Sequence, residues 1–185
     1  MTRKTFAELT TEVGALLPDN TTGEITPADM RTMLQDILDS IIPAYGAMVI
    51  SSQYTLAAVG QTHKALPFQT VIAETTPEFV CNAAGGTVQR AQPIASTQIL
   101  FQADFSGPSN REVICTILAD GVATPFVGRV QTGGSAVPVS LNLVALQYKA
   151  TPCVYSIGVT TDSGVNDVVF SNATLICSAV PVRSA

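Results

Sequence analysis

The chain has 185 residues, of which 46% are hydrophobic and only 12% are charged. This length suits one medium domain, or a small domain with an appendage, and it allows a substantial core. The formal net charge is −5. Lysine and arginine are scattered singly, without the basic stripe that follows nucleic-acid phosphates. We therefore expect no nucleic-acid partner.

The low charge predicts that part of the surface is hidden, because a soluble domain normally has about a quarter of its residues charged. The longest nearly apolar run, Ile41–Ile50, contains Pro43 and Gly46 and is too short to span a bilayer. The first residues, MTRKTFAELTTEV, lack the apolar region of a secretory signal. We expect no membrane association, and we expect apolar surface to be buried against other subunits.

A first short helix is predicted near the start of the chain. Apolar residues recur there at intervals of three and four, which is the spacing of one helix face. They are Phe6, Leu9, Val13 and Leu16 or Leu17. Pro18 ends the pattern, because proline cannot continue a helix.

A second short helix is predicted to begin at Thr26, which is a natural N-cap, with Pro27 at the first helical position and Asp29 as a capping-box acid. Its apolar face consists of Met30, Leu34, Ile37, Leu38 and Ile41. Both helices are too short to be stable alone in water, so their apolar faces must pack on something. We predict that the two faces serve docking or trimerisation. The alternative is that they cover one end of the sheet domain.

The balance of charged side chains and the spacing of apolar residues both change near Pro43. Residues 1–42 contain three basic and seven acidic side chains, whereas residues 43–185 contain six basic and seven acidic ones. The only candidate linker is Ile42–Gly46, where proline and glycine separate helix from sheet. We therefore predict a helical docking or trimerisation segment over residues 1–42 and a β jelly-roll domain over residues 43–185.

From Met48 onward the sequence predicts strands. The clearest is Gln98–Phe105, in which apolar and polar residues alternate apart from Leu100. Glycine-rich and proline-containing turns divide the rest into roughly eight to ten strands. This pattern indicates an antiparallel sandwich or barrel, including the jelly roll. Glu112–Ala119 is apolar on both parities, and we predict that its second face is a subunit contact.

The sequence contains few side chains that could form a catalytic or metal-binding site. The single histidine, His63, lies in the polar stretch VGQTHKALP without a neighbouring acid or nucleophile, so a surface loop is the simpler interpretation. Glu74 and Glu78 are close in sequence, but the distance between two carboxylates in space decides glycosidase chemistry. The loop containing Asp162 and Asp167 lacks the ligand spacing of a calcium site. We expect no catalytic residue, no metal and no cofactor.

The four cysteines are too dispersed for a paired metal site. They are Cys81, Cys115, Cys153 and Cys177, and each lies on the apolar parity of its predicted strand. Small buried side chains in a reducing compartment explain all four. A disulfide between adjacent strands is the alternative, because parity determines the face and not the partner.

The segment LPDNTTGEITPADMRTMLQDILDSI, residues 17–41, resembles one near the N-terminus of many tailed-bacteriophage virion proteins. The shared features are the Asp-Asn-Thr-Thr-Gly core, the cap and the Asp-x-x-Asp-Ser ending. The segments ILFQADFSGPSNREVICTILADGV, VSLNLVALQYKATPCVYSIGV and NATLICSAVPVR are similar in pattern to later strands of phage jelly rolls with the C1q and tumour-necrosis-factor fold. The resemblance implies a homotrimer around a threefold axis, joined to the particle by its N-terminal segment.

Three classes of function follow. The first is a structural virion component, such as a capsid decoration protein, head fibre or short tail-fibre subunit, made in the host bacterial cytoplasm. The second is a module that recognises a host receptor or surface glycan, although the sequence contains no tryptophan for sugar stacking. The third, an enzyme such as a depolymerase, has only the two glutamates in its favour. The absence of a repetitive shaft separates the chain from long host-range fibres.

Overall fold

The structure, a computed structural model, describes residues 11, 15, 30–34, 37, 44–75, 77–91, 95–133, 137–149 and 151–180. The chain divides into two compact units, Met1–Pro43 and Ala44–Ala185. In the first unit the described residues are helical, and one short stretch, residues 30–34, is continuous. The prediction of two complete N-terminal helices is not supported, because most of their residues lie outside the described ranges.

Twelve strands are described in the second unit, and no helix is present among its described residues. The number exceeds the predicted eight to ten, because the segment before β7 forms several short strands. The strands are β1 (Tyr45–Ile50), β2 (Tyr54–Val59), β3 (Lys64–Ala65), β4 (Thr70–Glu74), β5 (Phe79–Asn82), β6 (Thr87–Arg90), β7 (Ala95–Ser106), β8 (Arg111–Ala119), β9 (Val122–Thr132), β10 (Val139–Lys149), β11 (Cys153–Thr161) and β12 (Asn166–Val180).

The strands form two antiparallel sheets. Sheet A has the order β10-β7-β12-β1-β4, with β2 also on β12, and sheet B has the order β5-β6-β11-β8-β9, with β3 also on β11. From β6 to β12 every connection crosses to the other sheet except the β8–β9 hairpin. This is the strand order of a jelly roll. The predicted mainly-β antiparallel sandwich is confirmed.

The core lies between the two sheets because each strand turns alternate residues inward. In β7 the predicted alternation is confirmed: Ile99, Phe101, Ala103 and Phe105 have no exposed surface. The rings of Phe105 and Phe170 pack with centroids 5.4 Å apart, which extends the apolar contact across neighbouring strands of sheet A.

The thiols belong to this core. All four cysteines are free, and Cys115, Cys153 and Cys177 are buried whereas Cys81 is half-buried. Burial raises the pKa of Cys115 to about 12. Burial, and secondly the charge of Glu74, raises the pKa of Cys81 to about 11.

We expect Cys115 and Cys177 to be unreactive toward Ellman's reagent at about pH 8, because the thiolate is the reacting form and burial also blocks access. Unfolding without a reductant should release all four thiols. The measurement is a thiol titration of native and denatured protein. Finding two thiols or none in the denatured sample would contradict the conclusion that all four cysteines are free.

Candidate subunit interface

The outward-facing side of sheet A has an apolar patch, which we define as Val144, Leu146 and Tyr148 of β10, Leu100 of β7, and Ile176 and Val180 of β12. Val144, Leu146 and Tyr148 are 61%, 58% and 63% exposed. Val144 pairs directly with Leu100, which pairs with Ile176. Directly paired residues share one face of a sheet, so Val144, Leu100 and Ile176 form a continuous apolar row. Leu146 and Tyr148 extend the patch along β10, where they pair with Gln98 and Ser96 of β7.

The same face of sheet A becomes polar toward its other end. Asp104 of β7 lies between Ser140 of β10 and Asn172 of β12 in the strand register. The Asn172 side-chain amide donates to Oδ2 of Asp104 at 2.8 Å, and the Ser140 hydroxyl donates to Oδ1 at 2.5 Å. The polar end is therefore internally hydrogen-bonded, whereas the apolar patch has no such compensation for its contact with water.

Sheet B differs because the chain covers part of its outer side. A Cβ atom placed on Gly158 would lie 3.0 Å from both Cδ2 of His63 and Cδ1 of Leu118. The loop before β3 therefore lies on the outer side of β11 at Gly158, beside Leu118. Leu118 is only 7% exposed. The prediction that the second face of β8 forms a subunit contact is wrong for Leu118, which this chain covers itself.

Three of the predicted site residues lie within the described ranges. Met30 is 40% exposed and Leu34 is 51% exposed, while Ile37 is half-buried. The remaining predicted residues lie outside the described ranges: Phe6, Leu9, Val13, Leu16, Leu38 and Ile41. The prediction for these helical faces stays a prediction.

The apolar patch was missed at the sequence level, although a signal was present. In VSLNLVALQYK the residues Leu141, Leu143 and Ala145 occupy one parity, and Val144, Leu146 and Tyr148 occupy the other. The first set is buried and the second is exposed. Apolar residues on both parities of one strand predict two covered faces.

Three of the acidic side chains considered as catalytic or metal-binding candidates are buried or hydrogen-bonded to the backbone. A carboxylate oxygen of Glu74 accepts the backbone N–H of Cys81 at 2.9 Å, and Glu78 is 5% exposed. Oδ1 of Asp167 accepts the backbone N–H of Ala58 at 2.8 Å, and Ala58 has a left-handed backbone with φ 55°. Among the described residues, no group of three or more His, Cys, Asp or Glu side chains could hold a metal ion.

An ion pair at the end of β10 involves Lys149, which lies on the opposite parity from the apolar patch. Nζ of Lys149 lies 3.7 Å from Oδ2 of Asp120, and both side chains are partly exposed. Asp120 begins the left-handed Asp-Gly turn between β8 and β9. The backbone N–H of Val154, which donates to Oδ1 of Asp120 at 2.9 Å, is the main cause that lowers the pKa of Asp120, and Lys149 contributes further.

No protein-family model matches the sequence, and no curated protein is similar to it. Among solved structures, the crystal structure of murine APRIL at pH 5.0 is similar with a TM-score of 0.45 and 8% identity. The match covers 70% of this chain and 99% of the APRIL chain. The jelly-roll assignment rests on the strand order. No helix among the described residues is long and apolar enough to cross a membrane.

The lowered pKa of Asp120 predicts a contribution to stability that depends on pH. A carboxyl group with a depressed folded-state pKa stabilises the fold above its unfolded pKa of about 3.9, and this contribution is lost as pH falls through the folded-state pKa. Replacing Asp120 by Asn should therefore reduce the difference in unfolding free energy between about pH 6 and about pH 2. Urea unfolding at both pH values measures it. An unchanged difference would contradict the assignment.

Proposed function

We propose that this chain is a non-enzymatic structural subunit of a tailed-bacteriophage particle, assembled as a homotrimer of jelly rolls and attached through residues 1–42. A capsid decoration protein, a head fibre and a short tail fibre all fit this role. The apolar patch of sheet A is the observation that carries the assembly part. The phage part is supported by the sequence segment LPDNTTGEITPADMRTMLQDILDSI.

The apolar patch supports self-association for an energetic reason. Full burial of a large apolar side chain contributes roughly 1.5–3 kcal/mol. Val144, Leu146 and Tyr148 each retain more than half of their surface for a partner to cover. In a closed homotrimer the contribution is repeated at three interfaces.

A second copy of the chain is the occupant that the composition favours. With only 12% of residues charged, the chain has few charged side chains with which to keep such a patch in water as a monomer. A closed ring also needs a complementary surface on each neighbour. Val127 of β9, 38% exposed, lies on the other edge strand beside β10 and supplies further apolar area.

Replacing Leu146 by Asp tests the interface. The wild-type protein should have three times the 19.3 kDa chain mass, and the variant should dissociate at micromolar concentration, because each interface would bury a charge. Its β-type circular dichroism should be unchanged, since the side chain is 58% exposed. Light scattering and circular dichroism measure the two properties.

Val165→Asp is the matched control, because Val165 is 72% exposed in the turn between β11 and β12, away from the apolar patch. This variant should keep the trimer mass. A trimeric Leu146→Asp variant would show that the patch is not the interface. A wild-type protein that is monomeric at micromolar concentration would refute the homotrimer itself.

Attachment is tested with a chain that begins at Pro43 and with the full-length double variant Leu34→Asp, Ile37→Asp. Both should fold and form trimers but fail to enter particles, because apolar helix faces that dock on a partner lose their binding energy when charged or removed. Virion purification from cells complemented with each variant measures incorporation. Unfolding of the shortened chain, or its incorporation into particles, would contradict the proposed division of roles.

A further inference from the structure

Arg90, at the end of β6, is an arginine inside the sandwich with only 1% of its surface exposed. Its guanidinium reaches from sheet B to sheet A. Nη2 donates to the backbone oxygens of Lys149 at 2.6 Å and of Thr151 at 2.8 Å. Nη1 donates to the hydroxyl of Thr97 in β7 at 3.2 Å.

These acceptors lie at the point where β10 ends. Lys149 is the last residue of β10, and Thr151 follows it in the connection to β11. β10 is an edge strand that pairs with β7 alone among the described strands. Its last residues include Leu146 and Tyr148 of the apolar patch. An edge strand has hydrogen bonds on one side only, so its end separates easily from the sheet unless something holds it.

The choice of arginine at this buried position suggests a role beyond filling space. A buried charge costs far more desolvation free energy than an apolar side chain of similar volume. The planar guanidinium has five N–H donors in a rigid arrangement, so it can bind acceptors on several strands at once. Arg90 uses this geometry to join β6, β7 and the end of β10, which no apolar side chain could do.

We propose that Arg90 is a positioning residue for assembly, which fixes the end of β10 so that Leu146 and Tyr148 meet the neighbouring copy in the correct register. The proposal rests on the homotrimer proposed above. Arg90 itself is inside the fold and does not contact the partner; it acts through the backbone of β10.

The first experiment measures assembly in the full-length chain. Arg90→Met should raise the trimer dissociation constant at least about 100-fold and Arg90→Lys at least about 10-fold, because an ammonium replaces only part of the guanidinium contacts. Lys149→Met is the matched control on the same turn, since it removes the exposed pair with Asp120 and leaves the backbone oxygen. It should remain within about twofold of wild type. Analytical ultracentrifugation over a dilution series gives these constants.

A second experiment separates positioning from general loss of stability. In the monomeric Leu146→Asp background, adding Arg90→Lys should speed hydrogen exchange at residues 146–149 at least about tenfold and leave β12 unchanged. Ile50→Val, a buried change in β1 away from the Arg90 contacts, serves as a destabilised reference. It should lower the unfolding temperature without raising the dissociation constant beyond about twofold.

The outcomes distinguish this proposal from the one it rests on. A monomeric wild-type protein refutes the homotrimer. The positioning role is refuted if the wild-type protein is a trimer and Arg90→Lys changes neither the trimer dissociation constant nor the hydrogen exchange of β10. This test holds even if Arg90→Met fails to fold. The positioning role is also refuted if Ile50→Val lowers the unfolding temperature by as much as Arg90→Lys does and raises the trimer dissociation constant by the same factor.

Discussion

Covering the outer sides of the two sheets is the constraint on which the rest of the structure depends. Alternate residues of each strand pack in the core, and the remaining parity must meet water, the chain itself or a partner. On sheet B, the loop containing His63 packs over Gly158 beside Leu118. On sheet A, Leu146 and its neighbours in the apolar patch stay exposed. This asymmetry is the physical reason to expect a partner on the outer side of sheet A.

The jelly-roll order adds a second difficulty, because it places β10 at the edge of sheet A. The strand with the most exposed apolar side chains is therefore held by a single neighbouring strand. Two sets of contacts hold its last residue. The buried side chain of Arg90 binds the backbone oxygen of Lys149, and the partly exposed side chain of Lys149 pairs with Asp120. The inner contacts are shielded from water, whereas the exposed pair is screened and contributes little.

Individual strands show how far the sequence reasoning could extend. The alternation of Gln98–Phe105 predicted β7 and its buried side correctly, because a period of two follows directly from strand geometry. Glu112–Ala119 was also recognised as apolar on both parities, but the contact assigned to Leu118 was wrong. Leu118 is buried within this chain, and such burial depends on sheet order rather than on the period of the sequence. The sequence of β10 likewise has apolar residues at both alternating sets of positions.

By itself, the sequence determined the local properties of this protein: a strand-rich domain after Pro43, cysteines on the apolar parity of their strands, and too few charges to cover its surface. These depend on neighbours within a few residues, and side-chain chemistry is enough to read them. The tertiary structure alone decided which outer face is left uncovered and that Arg90 is buried. In TVQR the sequence pattern predicts an ordinary polar strand residue at the arginine, since arginine is rarely buried. Its bonds to Lys149 and Thr151 exist only because the jelly-roll connections bring residues about 60 positions apart into contact, and no local pattern records such a pairing.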